Sequence, residues 1–241
     1  MHWAVPRVRA LHVDPTRLTV ATLTPCLFRC CSFIVFQWCD ACGITGSGVL
    51  YGKGGRPPSG NDWYYQYDQG AINASRPKML TVLDSRDFVM QDITILDAPF
   101  FNVYLGNVTG AEIGGVNITS TWCKHPSIST SITTRFMGTY LTDSCVLSDT
   151  DPVSGQLMEP HNTDGIDPGG GSSGIWIHDS FISNGDDSVA VKPNVLGSCT
   201  RDILVEDCVF KNGHGCSIGS VGSGCVENVR TQPIPQLITT I

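Results

Sequence analysis

The sequence is poor in charge, in helical periodicity and in uninterrupted apolar stretches. Charged residues make up 15% of the 241 positions and give a formal net charge of −7, which argues against a nucleic acid partner. The most apolar stretch, residues 18–38, is broken by Pro25 and Arg29, so we expect no membrane-spanning helix. What remains is rich in Val, Ile and Thr, with 26 Gly and 14 Pro. That composition predicts an all-β domain with many tight turns.

Residues 1–42 differ from the rest and are interpreted as a poorly defined N-terminal segment without a recognisable signal peptide. A metal site is the alternative for this segment, since it holds five of the 11 cysteines, namely Cys26, Cys30, Cys31, Cys39 and Cys42. The odd number of cysteines predicts at least one unpaired thiol. The abundance of cysteine, with sequons at Asn73, Asn107 and Asn117, favours a secreted protein.

A repeat of 23 to 28 residues runs through the remainder. Residues 175–182 overlay residues 203–210 with their apolar positions in phase, and residues 88–95 overlay residues 111–118 in the same way. Such a period indicates stacked units, none of which can bury its apolar face alone. We therefore predict a parallel β-helix with three short strands per turn over residues 43–241, interrupted by a Ser- and Thr-rich stretch at 120–158 that is either an excursion loop or an insertion.

Acidic and glycine-rich runs recur with this repeat. An offset of 28 places His214 on Asp186, and an offset of 22 places Asp164 one shorter repeat earlier, while Asp187 follows Asp186 directly. Neighbouring turns lie about 5 Å apart, so these side chains should converge on one patch. Close carboxylates resist simultaneous ionisation, so at least one pKa should be raised. A protonated acid beside ionised bases is what glycosidic cleavage needs.

Two other interpretations of the carboxylates stay open at this point. Several oxygen ligands close together could bind Ca²⁺. Alternatively, Asp beside Gly is a common turn residue with no chemical role. The recurrence of three acids and a histidine in phase favours a functional site.

Three motifs carry a resemblance to a known family. They are Asn-Thr-Asp-Gly-Ile-Asp at 162–167, Gly-Asp-Asp at 185–187 and Gly-His-Gly-Cys-Ser at 213–217. In order and spacing the chain resembles the polygalacturonase-type glycoside hydrolases of family 28, the pectin hydrolases, over residues 43–228. The resemblance implies a right-handed parallel β-helix that hydrolyses α-1,4 bonds between galacturonic acid units with inversion.

The resemblance also implies a role for each catalytic candidate. Asp186 would be the general acid that protonates the leaving oxygen. Asp164 and Asp187 would together activate the attacking water. His214 would maintain the environment of the acid and touch substrate.

Two further residues are expected to bind substrate by the same resemblance, Asn162 in the groove and Lys192 after the acid pair. No metal and no other cofactor are expected. The expected partner is a pectic polysaccharide, bound by a secreted monomer that contacts neither nucleic acid nor membrane.

The sequence departs from the family in three ways. The Arg-x-Lys motif that follows the histidine in the family is not reproduced at 230–232, so we expect a β-helix that is incomplete at its C-terminal end. Ser188 stands where many relatives have a cysteine, and no signal peptide is recognisable. The competing functions are a rhamnogalacturonan hydrolase, a Ca²⁺-dependent pectate lyase-like enzyme and a non-catalytic polysaccharide-binding β-helix.

Overall fold

The computed structural model describes residues 32–55, 63–72, 76–120, 160–219 and 222–232, together with the backbone of 9–12, 133–136 and 139–142. In chain order the elements are β1 (Arg9–His12), β2 (Ser32–Gln37), β3 (Cys42–Thr45), β4 (Val49–Tyr51), α1 (Trp63–Asp68), β5 (Lys78–Leu83), β6 (Arg86–Gln91), β7 (Thr94–Leu96), β8 (Val103–Gly106), β9 (Thr109–Gly114), β10 (Asn117–Thr119), β11 (Thr133–Phe136), β12 (Thr139–Thr142), β13 (Ile166–Gly169), β14 (Ser173–His178), β15 (Phe181–Ser183), β16 (Val189–Val191), β17 (Cys199–Glu206), β18 (Val209–Lys211), β19 (Cys216–Ile218) and β20 (Cys225–Thr231). No helix in these ranges is long and apolar enough to cross a membrane.

Three parallel sheets run the length of the molecule. Sheet A has the order β1-β3-β6-β9-β14-β17-β20, sheet B the order β19-β16-β13-β8-β5-β2, and sheet C the order β18-β15-β10-β7-β4. Each turn of the chain contributes one strand to sheet B, then one to sheet A and one to sheet C. This is a right-handed parallel β-helix with three strands per turn, as predicted, and right-handed crossovers are the rule between parallel strands.

The register confirms the predicted repeats. Ile175 pairs with Ile203 between β14 and β17, and Phe88 pairs with Ala111 between β6 and β9. Among the strands that the structure describes, one pair departs from the parallel pattern. It is the antiparallel hairpin of β11 and β12, which lies within the stretch predicted as a loop or insertion.

The interior is filled by apolar columns, one per sheet. In sheet C, equivalent positions of successive turns stack as Leu50, Ile95, Ile118, Ile182 and Phe210. All five are at most 4% exposed. Full burial of such a side chain is worth about 1.5–3 kcal/mol. Since each turn supplies one residue to every column, the turns stabilise one another by stacking.

The overlay of residues 175–182 on residues 203–210 also aligns Asp179 with Asp207, and the corners between sheets A and C explain this match. The residues that follow β6, β9, β14 and β17 there have a left-handed backbone: Asp92, Gly115, Asp179 and Asp207, with φ from 47° to 63°. Glycine and short polar residues adopt this conformation at little cost. The alignment of Asp179 with Asp207 therefore reflects a repeated corner.

The N-terminal part of the described chain contributes to the solenoid. Strand β2 pairs with β5 in sheet B, so residues before Gly43 lie within the stacked turns. A disulfide joins Cys39 and Cys42, and another joins Cys199 and Cys225. Cys208 and Cys216 are free among the residues that the structure describes. The other three N-terminal cysteines lie outside these residues, and the metal interpretation with them.

Candidate active site

The three polar runs stack at the corners where the chain passes from sheet C into sheet B. Residues 160–165 precede β13, residues 184–188 precede β16, and residues 212–215 precede β19. Because the three strands are neighbours in sheet B, the corners form a column. The structure thus brings together Asp164, Asp186, Asp187 and His214, as predicted.

The predicted offsets at these corners are wrong by one or two residues. His161 is bridged to Gly185, an offset of 24, and Ile166 pairs with Val189, an offset of 23, where 22 was expected. Counting from these pairs places Asn162 level with Asp186 and Asp164 level with Asp187. The corner absorbs one residue because Asn162 adopts a left-handed backbone with φ 56°.

The corner between β18 and β19 is one residue shorter than the corner between β15 and β16. Ser183 pairs with Lys211, an offset of 28, but Val189 pairs with Cys216, an offset of 27. His214 is consequently level with Asp187 rather than with Asp186. Its Nδ1 lies 3.5 Å from Oδ1 of each carboxylate, so it faces both.

Two glycines allow this close stacking. A Cβ on Gly165 would collide with the Ser188 carbonyl, and a Cβ on Gly213 would collide with the Asp186 carbonyl. A side chain at either position would push adjacent corners apart. The glycines of the motifs are therefore required by the approach of one turn to the next.

Asp186 sits on the open side of the column, with its side chain 24% exposed. Its Oδ1 accepts the backbone N–H of Asp187 at 2.8 Å, and its Oδ2 accepts Nδ2 of Asn162 at 3.3 Å. The His214 side chain is 69% exposed. A ligand in solvent can therefore reach both Asp186 and His214.

Arg76 is a site residue that sequence reasoning missed. Its guanidinium donates to Oδ1 of Asn162 at 2.7 Å and to the His161 carbonyl at 2.7 Å. Because Oδ1 of Asn162 is taken by this donor, its Nδ2 is turned toward Asp186. Arg76 is 2% exposed and lies 3.8 Å above the Tyr67 ring. Arg76 lies in no recognisable sequence motif, so its contact with Asn162 could not be predicted from the sequence.

Asp187 accepts hydrogen bonds from Ser217 in the following turn and from Asn184 in its own corner. Ser217 Oγ donates to its Oδ2. The Asn184 amide donates to the carbonyls of Asp187 at 2.8 Å and Thr163 at 2.9 Å, which ties two successive corners together. The carboxylate of Asp187 is 18% exposed, intermediate between its neighbours.

Asp164 lies on the buried side of the column. Its Oδ2 accepts Lys192 Nζ at 2.8 Å, and its Oδ1 has no hydrogen-bond partner among the described residues. Burial raises the pKa of Asp164, Lys192 opposes that rise, and Asp186 adds to it. The prediction of at least one raised pKa is confirmed, although burial rather than repulsion between carboxylates is the main cause.

Lys192 is expected to touch substrate, and the structure directs its ammonium into the protein. Its side chain is 8% exposed, and Nζ lies 3.8 Å from Oδ2 of Asp167 in addition to the Asp164 bond. Burial by itself lowers the Lys192 pKa, but Asp167 and Asp164 outweigh it, and the net pKa is raised. Lys192 is therefore held as a cation. A direct contact with substrate stays a prediction.

A cationic and aromatic patch lies beside the buried side of the column. Lys78 Nζ is 5.5–5.8 Å from the ring centroids of Phe100, Phe101 and Tyr104, and the Lys192 ammonium is 4.7 Å from that of Phe101. Cations within about 6 Å of an aromatic ring centroid are attracted to its face. These rings and Lys78 are partly exposed and were not predicted.

Two groups of residues in the described part of the chain offer ligand atoms within 4.8 Å of one another. One consists of Asp186, Asp187 and His214. The other contains Cys199 and Cys225, whose sulfurs form a disulfide and are not available as thiolates. Ca²⁺ usually takes six to eight oxygen ligands, so the first group alone is an incomplete cage.

The structure is thus a parallel β-helix that carries a column of carboxylates and one histidine along one corner. The chain belongs to a family described as glycosyl hydrolases family 28, whose sequence profile matches residues 29–234. A polygalacturonase of Ralstonia nicotianae is 29% identical over 211 residues, which are 83% of this chain and 38% of that protein. A probable rhamnogalacturonase B of Aspergillus oryzae is 26% identical over 178 residues, 74% of this chain and 23% of that protein.

The fold has solved counterparts. The structure of a polygalacturonase from Erwinia carotovora ssp. carotovora superposes with a TM-score of 0.63 at 23% identity, covering 92% of this chain and 52% of that one. At this identity the likeness speaks for the fold. The chain spans less than two thirds of the length of each of these proteins.

Proposed function

We propose that this site hydrolyses α-1,4-galacturonosidic bonds in pectin by acid and base catalysis with inversion. The observation that carries the proposal is the column of Asp164, Asp186, Asp187 and His214, in which one carboxylate is buried against an ammonium and another is open to solvent. Family membership supports the same reaction class. The similarity to a polygalacturonase over most of the chain favours galacturonan over rhamnogalacturonan.

Asp186 is the proposed general acid. Its carboxylate is reachable from solvent, and Asn162 and the Asp187 N–H fix its orientation, so a glycosidic oxygen can approach it directly. His214, 3.5 Å away, can interact with the same substrate unit. A correctly placed acid contributes about 10²–10⁴ in rate.

Asp164 and Asp187 are the proposed bases. Lys192 holds one oxygen of Asp164, and the other, Oδ1, is buried without a donor from the described residues, so a water admitted beside Oδ1 would meet no competing hydrogen-bond donor there. Inversion requires about 6.5–9.5 Å between acid and base, which leaves room for that water. The level arrangement of Asp164 with Asp187 lets both carboxylates act on one molecule.

The patch of Lys78, Phe101 and Tyr104 is the proposed substrate grip on the neighbouring turns. Galacturonan carries one carboxylate per unit, and an ammonium held over aromatic rings can pair with it. The rings themselves offer apolar surface for the faces of sugars. The patch would thus bind a sugar unit next to the one being cleaved, displaced from the catalytic column along the β-helix axis.

The reaction class is tested by the products formed from polygalacturonate. If the protein is a hydrolase, we expect new reducing ends, no unsaturated product and no loss of rate in the presence of a chelator. An unsaturated product that disappears on chelation would establish a lyase instead. Binding of a galacturonate oligomer without any new reducing ends would establish a non-catalytic polysaccharide-binding protein. Cleavage of rhamnogalacturonan in preference to polygalacturonate would replace the proposed substrate.

Secretion and a monomeric state are part of the proposal. The Asn107 side chain is exposed within a sequon at a corner of the solenoid, where its Nδ2 donates to Oδ1 of Asp84 at 2.8 Å. Expression through a secretory pathway, followed by a mass shift on deglycosylation and its loss in Asn107→Gln, tests this point. Light scattering of the purified chain tests the monomer.

A further inference from the structure

Asp167 is a buried acid to which the proposed mechanism gives no task. It lies on β13, level with Tyr104 of β8, and is 0% exposed. Neither of its oxygens has a hydrogen-bond partner in the described structure. Its nearest cation, Lys192 Nζ, is 3.8 Å from Oδ2, which is longer than a hydrogen bond.

The charges around Asp167 do not balance if every group is ionised. Lys192, which directly follows β16, faces it from the next turn. Asp164 precedes it on the same turn, and burial raises the pKa of Asp167 most, with smaller contributions from Asp164, Asp187 and Asp186. Within the described part of the chain, one ammonium, that of Lys192, therefore serves two buried carboxyls. Lys192 gives its hydrogen bond to Asp164 at 2.8 Å, so Asp164 holds the negative charge.

Burial decides the state of the second carboxyl. An ionised group without donors is far more costly in a protein interior than a neutral one. Burial first, and then Asp164, raise the pKa of Asp167 well above its usual range. A neutral Asp167 fills the space beside Lys192 without competing for its charge.

We propose that Asp167 is a positioning residue that stays neutral beside Lys192, so that the charge of the ammonium is committed to Asp164 and keeps Asp164 ionised. The assignment of charges stands on the geometry alone, whereas its meaning for catalysis rests on the proposed function of Asp164 as a base. An ionised Asp167 would instead share Lys192 and repel Asp164. The sequence motif at 162–167 thus carries both a base and the neutral residue that supports its ion pair.

The first test needs no activity. Infrared spectra of the full chain at mildly acidic to neutral pH should show a protonated carboxyl band that is absent in Asp167→Asn. Lys192→Met should leave that band and add a second one from Asp164, whose ionisation moves to higher pH by about 1–3 units. Lys192→Gln removes the same charge if the Met variant does not fold. Lys211→Met, on β18 of sheet C, is the matched control and should resemble the wild type.

The second test is the pH dependence of hydrolysis. Lys192→Met should shift the acidic limb of the kcat profile upward by about 1–3 pH units, while Asp167→Asn, which mimics a neutral carboxyl, should leave the limb in place. A band that persists in Asp167→Asn, or a limb that moves in this variant, would overturn the inference. Absence of hydrolysis together with the expected infrared result would overturn the proposed function and leave the charge assignment standing.

Discussion

The site has a buried half and an open half, and the two hold their carboxylates in opposite ways. The buried half consists of Asp164, Asp167 and Lys192, whose side chains are at most 8% exposed. The open half consists of Asp186, Asp187 and His214, whose side chains are 18–69% exposed. In the buried half an ammonium satisfies a carboxylate directly. In the open half backbone and side-chain donors orient carboxylates that remain accessible to a ligand.

This difference would let one residue type serve the two chemical tasks proposed above. Asp164 and Asp186 come from neighbouring corners of successive turns, but they are not level with each other, because Asp164 is level with Asp187 and Asn162 with Asp186. Their surroundings separate them: Asp164 is desolvated and bound to Lys192, while Asp186 meets solvent and Asn162. Environments that push two carboxyl groups apart are how acid and base roles are divided in enzymes.

The largest expected effect comes from removing either role. Asp186→Asn and Asp164→Asn should each lower kcat on polygalacturonate by about 10³-fold or more, because each removes a proton transfer from the transition state. Rates of reducing-end release measure this. Asp202→Asn, on β17 of sheet A, is a matched control that should keep its rate. Turnover near that of the wild type in either site variant would refute the division of roles between the halves.

Arg76 tests how the open half is oriented. Arg76→Met should lower kcat by about 10- to 100-fold, because Asn162 loses the donor that turns its amide toward Asp186, and a group misplaced by about 1 Å can cost this much. The kcat of Arg76→Lys should lie between those of the wild type and Arg76→Met, because an ammonium cannot satisfy several acceptors as the planar guanidinium does. Steady-state kinetics give the result. A wild-type kcat in Arg76→Met would mean that Asn162 is held by other contacts.

Lys78 tests whether the substrate grip is separate from both halves. Lys78→Met should raise KM for polygalacturonate by about tenfold with kcat little changed, as expected for a contact made equally in ground and transition states. Lys78→Arg keeps the charge and should remain close to the wild type. Initial rates over a range of substrate concentrations distinguish the two parameters. A fall in kcat at unchanged KM would place Lys78 within the catalytic column.

Asp167 tests the buried half through stability. Because its pKa is raised in the folded state, its contribution to stability is complete below about pH 3.9, its value in an unfolded chain, and is lost as pH rises through the folded pKa. The Asp167→Asn variant does not lose stability in this way, because an amide does not ionise. Its unfolding free energy relative to the wild type should therefore improve by on the order of 1 kcal/mol between pH 4 and pH 7. Denaturant titrations at both pH values measure this, and a constant difference would contradict it.

The sequence sufficed for the fold because the solenoid repeats its own signal. Apolar residues such as Ile175 and Ile203 recur one turn apart, and the same period that identifies the repeat also fixes the register between strands. The four residues of the column were predictable for the same reason. Their offsets were not, because corners absorb or lose single residues where Asn162 or a glycine allows an unusual backbone.

The supporting residues could not be predicted. Arg76 and Lys78 reach the site from a turn that carries no motif, across 86 residues in the case of Arg76 and Asn162. Asp167 was visible in a motif, but its task depends on being fully buried without a hydrogen-bond donor, which spacing does not reveal. Most of the stretch 120–158 lies outside the described residues, so its interpretation stays a prediction.

The anomeric configuration of the first product tests the division of labour between the halves most directly. Proton NMR during hydrolysis of an α-1,4-galacturonate oligomer can observe the new reducing end before it mutarotates. We expect the β-anomer first, because water activated by Asp164 and Asp187 attacks opposite the bond that Asp186 protonates. The α-anomer as first product would contradict these roles, because retention requires a covalent glycosyl-enzyme intermediate in place of direct attack by water.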